Sequence, residues 1–290
     1  MIKQSIKKAF SILFVLITLM AAGILSVSAA PAKLVVGTSA DWPPFEWVDA
    51  NNNFVGFEMD LMKIIAKMQG LELEIIDIGF DSLIPALQSG KVNLLVAGMS
   101  LTEERLAVAD ASNPYWSGNQ GVMVREDSDL NIATALAGGY TVGAQRGTTQ
   151  ADWLEDNLVQ KGVNIKSLEL YETNDLGILD LVNKRIEVFV ADTPAAEAFA
   201  KVNPIKIVGI INTEEDYVCY ARKGDPEGIL PVINDSLAKL QLTSIWNNLA
   251  NAYFVGDLNK ISECYAKVSA MLEQDVEAYA ENLAKCMIDK

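Results

Sequence analysis

The sequence contains no histidine among its 290 residues, and this absence excludes several kinds of enzyme. Serine and cysteine hydrolases with a histidine base are excluded, as are HExxH metalloproteases and the usual histidine-ligated zinc sites. Basic residues are also scarce, because 23 lysines and arginines face 38 acidic residues and the net charge is −15. Nucleic acid and anionic lipid repel such a chain, so we expect neither as a partner. We also expect no metal and no cofactor.

Long apolar runs are absent except near the start, where Ile12 to Ile24 follows three lysines and precedes the small residues Val27 to Ala30. A basic segment, an apolar segment and a small-residue cleavage site are the pattern of a secretory signal peptide. We predict that residues 1–29 are such a peptide; an uncleaved anchor is the alternative. Loss of its three lysines would change the net charge from −15 to about −18.

Cysteine is rare, and the three cysteines, Cys219, Cys264 and Cys286, lie far from the predicted cleavage site. A lipidated bacterial protein needs a cysteine at that site. We therefore expect a secreted, soluble, non-lipidated protein, retained in the periplasm where an outer membrane is present. The sequence does not predict how the cysteines pair.

Strand-like and helix-like segments alternate after the predicted signal peptide, a pattern that favours a parallel sheet with helical crossovers. The predicted strands are 33–37, 71–78, 92–97, 140–144, 165–171, 186–191 and 217–221. The predicted helices are 58–70, 82–89, 149–159, 175–184 and 226–253. The pattern restarts after residue 120, which predicts two α/β lobes joined near residues 115–119, with a cleft between them.

The last segment, residues 258–290, has no glycine or proline and carries apolar residues three and four positions apart. This spacing predicts one continuous amphipathic helix or a helical pair. In a continuous helix Cys264 and Cys286 would lie about 33 Å apart and could form no disulfide with each other. The apolar face could pack on its own protein or mediate self-association, and both alternatives stay open.

Polar residues follow three predicted strands or turns at the place where open α/β sheets bind ligands. These segments are 97–105, which ends at Arg105, then 147–150 with Thr148 and Thr149, and finally Asp192. Taken alone, each residue could have an ordinary role, such as a solvated arginine or a helix cap. Their convergence predicts a cleft site.

Eight stretches give the chain a specific resemblance to a known family. They are Leu34 to Thr38, Pro43 to Phe45, Val55 to Leu61, Phe80 to Gly90, Ala97 to Arg105, Asn113 to Tyr115, Gly147 to Thr149 and Asp192 to Pro194. In order and spacing they resemble the polar amino-acid family of type II periplasmic binding proteins, which includes the receptors for glutamine and for histidine or lysine, arginine and ornithine.

The resemblance implies a fold of two Rossmann-like α/β lobes joined by a two-strand hinge. The first lobe would comprise residues 30–116 with 216–256, the second 117–215, and a C-terminal helical extension 257–290. The implied function is the substrate-binding component of an ABC-type amino-acid uptake system. Such a protein closes on its ligand and delivers it to an inner-membrane permease.

The family's ligand contacts carry over residue by residue. Arg105 would bind the ligand carboxylate through its guanidinium, together with the backbone N–H groups of Ser100 and Thr149. Asp192, the Gly98 carbonyl and the Ser100 hydroxyl would bind the ammonium group. Further contacts are implied for the rings of Trp42 and Phe80 and for Thr148, Ser39 and Gln145.

Two of these positions depart from the family pattern. Ser39 stands where several relatives carry an aspartate that contacts cationic or amide side chains, and Gln145 stands where the glutamine receptor has a lysine. The loss of that aspartate predicts a neutral amino acid as ligand.

The sequence leaves two other functions open. One is a same-fold dehydratase of a cyclic prephenate-type acid, for which Glu172 or Glu187 could supply the general acid. The other is a sensor that presents its liganded lobes to a receptor instead of a permease. Because Asp192 is retained, amino-acid binding is favoured over catalysis.

Overall fold

Thirteen strands and eleven α-helices build the fold in a computed structural model, which describes residues 33–289. The strands are β1 Lys33–Thr38, β2 Asp41–Trp42, β3 Glu46–Val48, β4 Phe54–Val55, β5 Glu72–Asp77, β6 Leu94–Leu95, β7 Ala109–Ala111, β8 Trp116–Arg125, β9 Thr141–Gln145, β10 Ser167–Tyr171, β11 Val188–Asp192, β12 Ile205–Tyr217 and β13 Tyr220–Arg222. The helices are α1 Phe57–Gln69, α2 Leu83–Gln88, α3 Glu103–Val108, α4 Ile132–Ala137, α5 Thr149–Leu154, α6 Asn174–Val182, α7 Thr193–Val202, α8 Ile229–Leu240, α9 Ser244–Ala250, α10 Ile261–Val268 and α11 Val276–Ile288. The predicted signal peptide lies outside the described residues.

The first lobe contains a five-stranded sheet in the order β5-β1-β6-β13-β7. Strand β1 is parallel to β5 and β6, as the alternating pattern predicted, and helices α1 and α2 make the crossovers. Strand β6 is shorter than the predicted segment 92–97, yet Asn93 N–H still donates to Val35 O at 2.9 Å and Val96 N–H to Gly37 O at 3.0 Å. The segment therefore follows β1 to the point where the chain leaves the sheet.

The second lobe contains a five-stranded sheet in the order β10-β9-β11-β8-β12. Strands β9, β10 and β11 are parallel, whereas β8 and β12 pair antiparallel at the edge. Trp116 of β8 faces Tyr217 of β12 at the end of this pair, where the chain enters and leaves the second lobe. These two crossing strands are the hinge, and the predicted two-lobed fold with a two-strand hinge is confirmed.

The predicted helix over residues 226–253 is wrong as a single element, because the chain forms α8, a break and then α9. Thr243 adopts an extended backbone and its hydroxyl donates to Leu240 O at 2.7 Å, so it ends one helix and precedes the next. The break carries Leu242, whose surface is 89% exposed. The predicted helix 149–159 is present in full, as α5 followed directly by a π-helical turn, Glu155–Val159.

The C-terminal extension forms a helical pair, the second of the two predicted alternatives. Helices α10 and α11 are joined by a disulfide between Cys264 and Cys286, whose Cα atoms lie 5.6 Å apart. Asp257 N–H also donates to Met287 O at 2.9 Å, which ties the start of the extension to its end. Cys219 is buried and has a free thiol.

The extension docks on helix α1 of the first lobe through tyrosine hydroxyls that hydrogen-bond to a buried ion pair within that helix. Asp60 accepts hydrogen bonds from Lys63 at 2.9 Å and from the hydroxyls of Tyr253 and Tyr279, the latter at 2.7 Å. Lys63 also donates to the Tyr265 hydroxyl at 3.0 Å. The apolar face of the extension belongs to the same buried core as α1. Of the two predicted roles for this face, packing on its own protein is the one observed, and self-association of the protein stays a prediction.

Within residues 33–289, none of the helices combines the length and the apolar character that a membrane crossing requires.

Candidate functional site

A cavity of about 400 Å³, open solvent included, lies between the lobes at the carboxyl ends of their parallel strands. It is lined by all ten residues named from the sequence. These are Ser39, Trp42, Phe80, Gly98, Ser100, Arg105, Gln145, Thr148, Thr149 and Asp192. The lining also includes side chains that sequence reasoning missed, above all Asp41, Glu46, Gln150 and Asn174. Residues distant in the sequence thus converge on one site.

Arg105 reaches across the cleft from the first turn of α3. Its guanidinium donates to Ser100 O at 2.9 Å in its own lobe and to Gly147 O at 3.1 Å in the other. The Phe80 ring centroid lies 5.6 Å from the guanidinium carbon. Burial lowers the pKa of Arg105, and nearby anions, including Asp192, oppose that shift. A planar cation held this way is suited to binding a carboxylate.

Ser100 and Thr149 bring the two lobes into direct contact, with their hydroxyl oxygens 3.3 Å apart. Thr148 caps α5, because its hydroxyl oxygen accepts from Ala151 N–H at 3.2 Å and donates to Gln145 O at 2.7 Å. The capping interpretation of Thr148 is therefore correct. Thr149 is left free to face Ser100.

Asp192 is buried at the end of β11, with 7% of its surface exposed. It accepts a hydrogen bond from the Tyr217 hydroxyl at 2.9 Å. Burial raises the pKa of Asp192 to about 8, and the nearby charge of Glu215 acts in the same direction. A bound cation would stabilise the charged form of this carboxyl group.

Trp42 lies against Gly98 and belongs to both the cavity wall and the core. Its ring stacks on Phe45 with centroids 4.6 Å apart. A Cβ atom at Gly98 would lie 1.7 Å from that ring, and Gly98 has a positive φ of 53°. Glycine is therefore required here, since any side chain would push the indole out of place.

Asp41 is the most informative of the missed residues because it joins the lobes. Its carboxylate accepts from the backbone N–H of Asn174 at 2.6 Å and from the Gln145 side chain at 3.2 Å, both in the second lobe. Ser39 donates to it at 3.3 Å. Burial raises the pKa of Asp41 to about 6. Its position after the carboxyl end of β1 is the sequence feature that could have identified it as a cleft residue.

Glu46 and Glu58 form a buried carboxyl pair behind the cavity, with Glu46 in its lining. Glu58 accepts from Gly98 N–H at 3.1 Å and from the Tyr115 hydroxyl, and burial raises its pKa to about 7. Within residues 33–289, no hydrogen-bond donor reaches either oxygen of Glu46. Burial and the neighbouring Glu58 raise the pKa of Glu46 well above its usual range.

The cavity is therefore rich in acid. Three of the described lining residues carry carboxyl groups, Asp41, Glu46 and Asp192, and they face one cationic side chain, that of Arg105. Their raised pKa values reflect the desolvation of negative charge without a compensating cation. Glu172 and Glu187, the two candidates for a general acid, do not line the cavity.

The chain matches the family model described as "Bacterial extracellular solute-binding proteins, family 3" over residues 34–256. It is 29% identical to "ABC transporter arginine-binding protein 1" of Escherichia coli K12, covering 83% of this chain and 98% of the relative. It is 32% identical to "Arginine-binding extracellular protein ArtP" of Bacillus subtilis 168, covering 78% of this chain and 87% of the relative. The C-terminal extension lies beyond the matched region.

Several solved structures of amino-acid-binding proteins are also similar to this chain. An ancestral arginine-binding protein bound to arginine is 33% identical, with a TM-score of 0.71 over 78% of this chain and 99% of the other. An ArgBP variant from T. maritima is 36% identical, with a TM-score of 0.69 over 77% of this chain and 96% of the other. The ancestral amino acid-binding protein AncCDT-1, a precursor of cyclohexadienyl dehydratase, is 30% identical, with a TM-score of 0.69 over 77% and 96%.

Proposed function

The chain belongs to the bacterial extracellular solute-binding proteins of family 3, and on this premise we propose that it binds a free amino acid between its lobes for delivery to an ABC permease. The observation that carries the proposal is the pairing of opposite charges in one cavity. Arg105 of the first lobe and Asp192 of the second both line it. A zwitterion is the simplest ligand that satisfies both groups.

The ligand carboxylate would bind Arg105, whose guanidinium is already oriented by the carbonyls of Ser100 and Gly147. The backbone N–H groups of Ser100 and Thr149 would complete its coordination. Because these groups belong to different lobes, a carboxylate held by all of them would stabilise the closed cleft relative to an open one.

The ligand ammonium would bind Asp192, the Gly98 carbonyl and the Ser100 hydroxyl. The raised pKa of Asp192, about 8, means that this carboxyl is largely protonated at neutral pH before an amine arrives. Binding of an ammonium would then displace that proton, so the affinity should weaken as the pH falls below about 8.

The sequence and the cavity lead to different predictions for the charge of the ligand side chain. The loss of an aspartate at Ser39 predicted a neutral ligand, but Asp41 supplies a carboxylate two positions later and Glu46 adds a second acid. We infer a cationic side chain, because a positive charge would relieve the desolvation of these groups. Two relatives named as arginine-binding agree with this choice. The neutral ligand stays the competing prediction.

The cellular setting is proposed from the predicted signal peptide and from relatives named as extracellular or periplasmic. We propose that residues 1–29 direct secretion, that the mature chain acts in the periplasm without a lipid anchor, and that its liganded lobes dock on the permease. Presentation to a sensor would need the same closed lobes, so a pull-down is required to identify the partner.

A thermal-shift and calorimetric screen of residues 30–290 tests ligand binding directly. Arginine at a hundred times its Kd should stabilise the fold by about 2.7 kcal/mol. Arg105→Ala should weaken binding by about 100-fold, since it leaves a buried carboxylate unpaired. Arg146→Ala is the matched control, because this arginine lies beside the cleft, is 53% exposed and pairs with Asp81 at 3.7 Å.

Three outcomes of the screen are informative. Binding of arginine or lysine supports the full proposal. Binding of glutamine or another neutral amino acid alone retains the transport function and restores the neutral ligand. A lack of response to every amino acid would contradict the proposal.

A dehydratase is the second candidate, favoured by the raised pKa values of the cavity's carboxyl groups and by the similarity to AncCDT-1. Asp192 or Glu46 would then supply the general acid, not Glu172 or Glu187. Turnover of prephenate or arogenate by the purified protein, lost in Asp192→Asn, would support catalysis.

A further inference from the structure

The hinge strand β12 carries an irregularity directly beside the cleft. Its pairing with β8 shifts between Ile211 and Glu215, and Glu214 adopts a positive φ of 51°. The Asn119 side-chain oxygen accepts from the backbone N–H groups of Thr213 at 3.0 Å and Glu214 at 2.9 Å, which fixes the bulge. A bulge of this kind re-aims the side chain that follows it, here Glu215.

Glu215 and Tyr217 are two positions apart on the strand and therefore point to the same face. The Tyr217 hydroxyl donates to Asp192 at 2.9 Å. Glu215 accepts from the Gln120 side chain at 2.7 Å through one carboxylate oxygen. The hinge thus presents two polar side chains to the cleft.

The second oxygen of Glu215 is shared between the lobes. It accepts from the hydroxyl of Ser100 in the first lobe and from the hydroxyl of Thr149 in the second. Because those two hydroxyl oxygens are themselves 3.3 Å apart, the three groups form one compact cluster. Movement of either lobe away from the other would break one of the two bonds to the carboxylate.

We propose that Glu215 is an internal latch, a hinge carboxylate that joins Ser100 to Thr149 and thereby stabilises the closed arrangement of the lobes. It also positions Ser100, because a hydroxyl that donates to Glu215 keeps its lone pairs for a ligand ammonium. This second role rests on the proposed function, whereas the latch itself does not require a ligand.

Distance measurements between spin labels, one on each lobe, test the latch in the full mature chain without added amino acid. Glu215→Gln should lower the ratio of closed to open molecules by about tenfold, because a charge-assisted acceptor becomes a neutral amide. Thr149→Val, which removes the second-lobe donor, should cause a similar shift. Glu214→Gln is the matched control, since its side chain is exposed and its backbone conformation is retained.

The proposal requires both Glu215→Gln and Thr149→Val to shift the distances and Glu214→Gln to leave them unchanged. Unchanged distances in Glu215→Gln, a shift in Glu215→Gln without one in Thr149→Val, or an equal shift in Glu214→Gln would overturn it. None of these readings involves an amino acid. A failure of the ligand screen and a failure of the latch are therefore distinguishable.

Discussion

Buried carboxylates occur in two regions of the molecule, and their surroundings differ. Beneath the C-terminal extension, Asp60 is paired with Lys63 and also accepts from two tyrosine hydroxyls. In the cleft, Asp41 and Asp192 are bound by neutral donors, and Glu46 has none within residues 33–289. One region has its own cation, whereas the other carries several acids beside Arg105.

This difference separates a structural site from a binding site. A buried carboxylate with a cation on its own helix gains nothing from a ligand, and the tyrosine hydroxyls bound to this pair help to fix how the extension docks. Carboxylates that are desolvated without enough positive charge have raised pKa values and can be stabilised by an incoming cation. We therefore propose that the same residue type supports docking in one place and ligand recognition in the other.

The largest change in the free energy of unfolding is expected when the ion pair between Asp60 and Lys63 is broken. Lys63→Met should lower the free energy of unfolding by about 3–5 kcal/mol, because Asp60 is left as a buried charge without its cation. Urea unfolding measures the change. Lys67→Met is the matched control on the same helix: Lys67 is 39% exposed and pairs with the exposed Glu273, so the change should stay within about 1 kcal/mol. Equal effects would refute the contrast between the two lysines.

The next effect concerns the disulfide that holds the extension together. Cys264 and Cys286 are separated by 22 residues, and loss of a crosslink of this length should cost about 3 kcal/mol. Chemical denaturation of the Cys264→Ala, Cys286→Ala double variant against the wild type measures it. A reductant should destabilise the wild type and leave the double variant unchanged; the same response in both would argue against the crosslink.

The third expected effect comes from pH, and it is the smallest when counted per group and per pH unit. Asp41, Glu58 and Asp192 have pKa values of about 6, 7 and 8, raised by burial above the unfolded values near 4. The native state therefore binds more protons than the unfolded state over this window. Stability should fall as the pH rises from 5 to 8, by up to about 1.4 kcal/mol per pH unit for each group.

Thermal unfolding at fixed ionic strength would record this slope. Asp192→Asn should flatten the upper part of the window, between about pH 7 and 8. A stability that rises with pH over the whole range would show that the cleft carboxyl groups are charged in the native state.

Sequence reasoning reached the lobes and the ten cleft residues because these are encoded in local patterns and family motifs. It missed Asp41, whose partner Asn174 is 133 positions away, because contacts between residues so far apart in the sequence leave no local pattern. It left the extension undecided, since spacings of three and four are common to a continuous helix and a hairpin. Asp275, whose side chain caps α11 by accepting from Glu277 and Ala278 N–H at 3.0 Å, was the overlooked signal for the break.

We propose that a bound ligand supplies the positive charge that the cleft carboxyl groups lack. Calorimetric titration of arginine at pH 7, repeated in two buffers of different ionisation enthalpy, measures the protons exchanged on binding. We expect that about one proton is released per ligand, because a bound cation lowers the raised pKa values of these carboxyls, and that Asp192→Asn releases fewer. Binding without proton release, or with proton uptake, would contradict it.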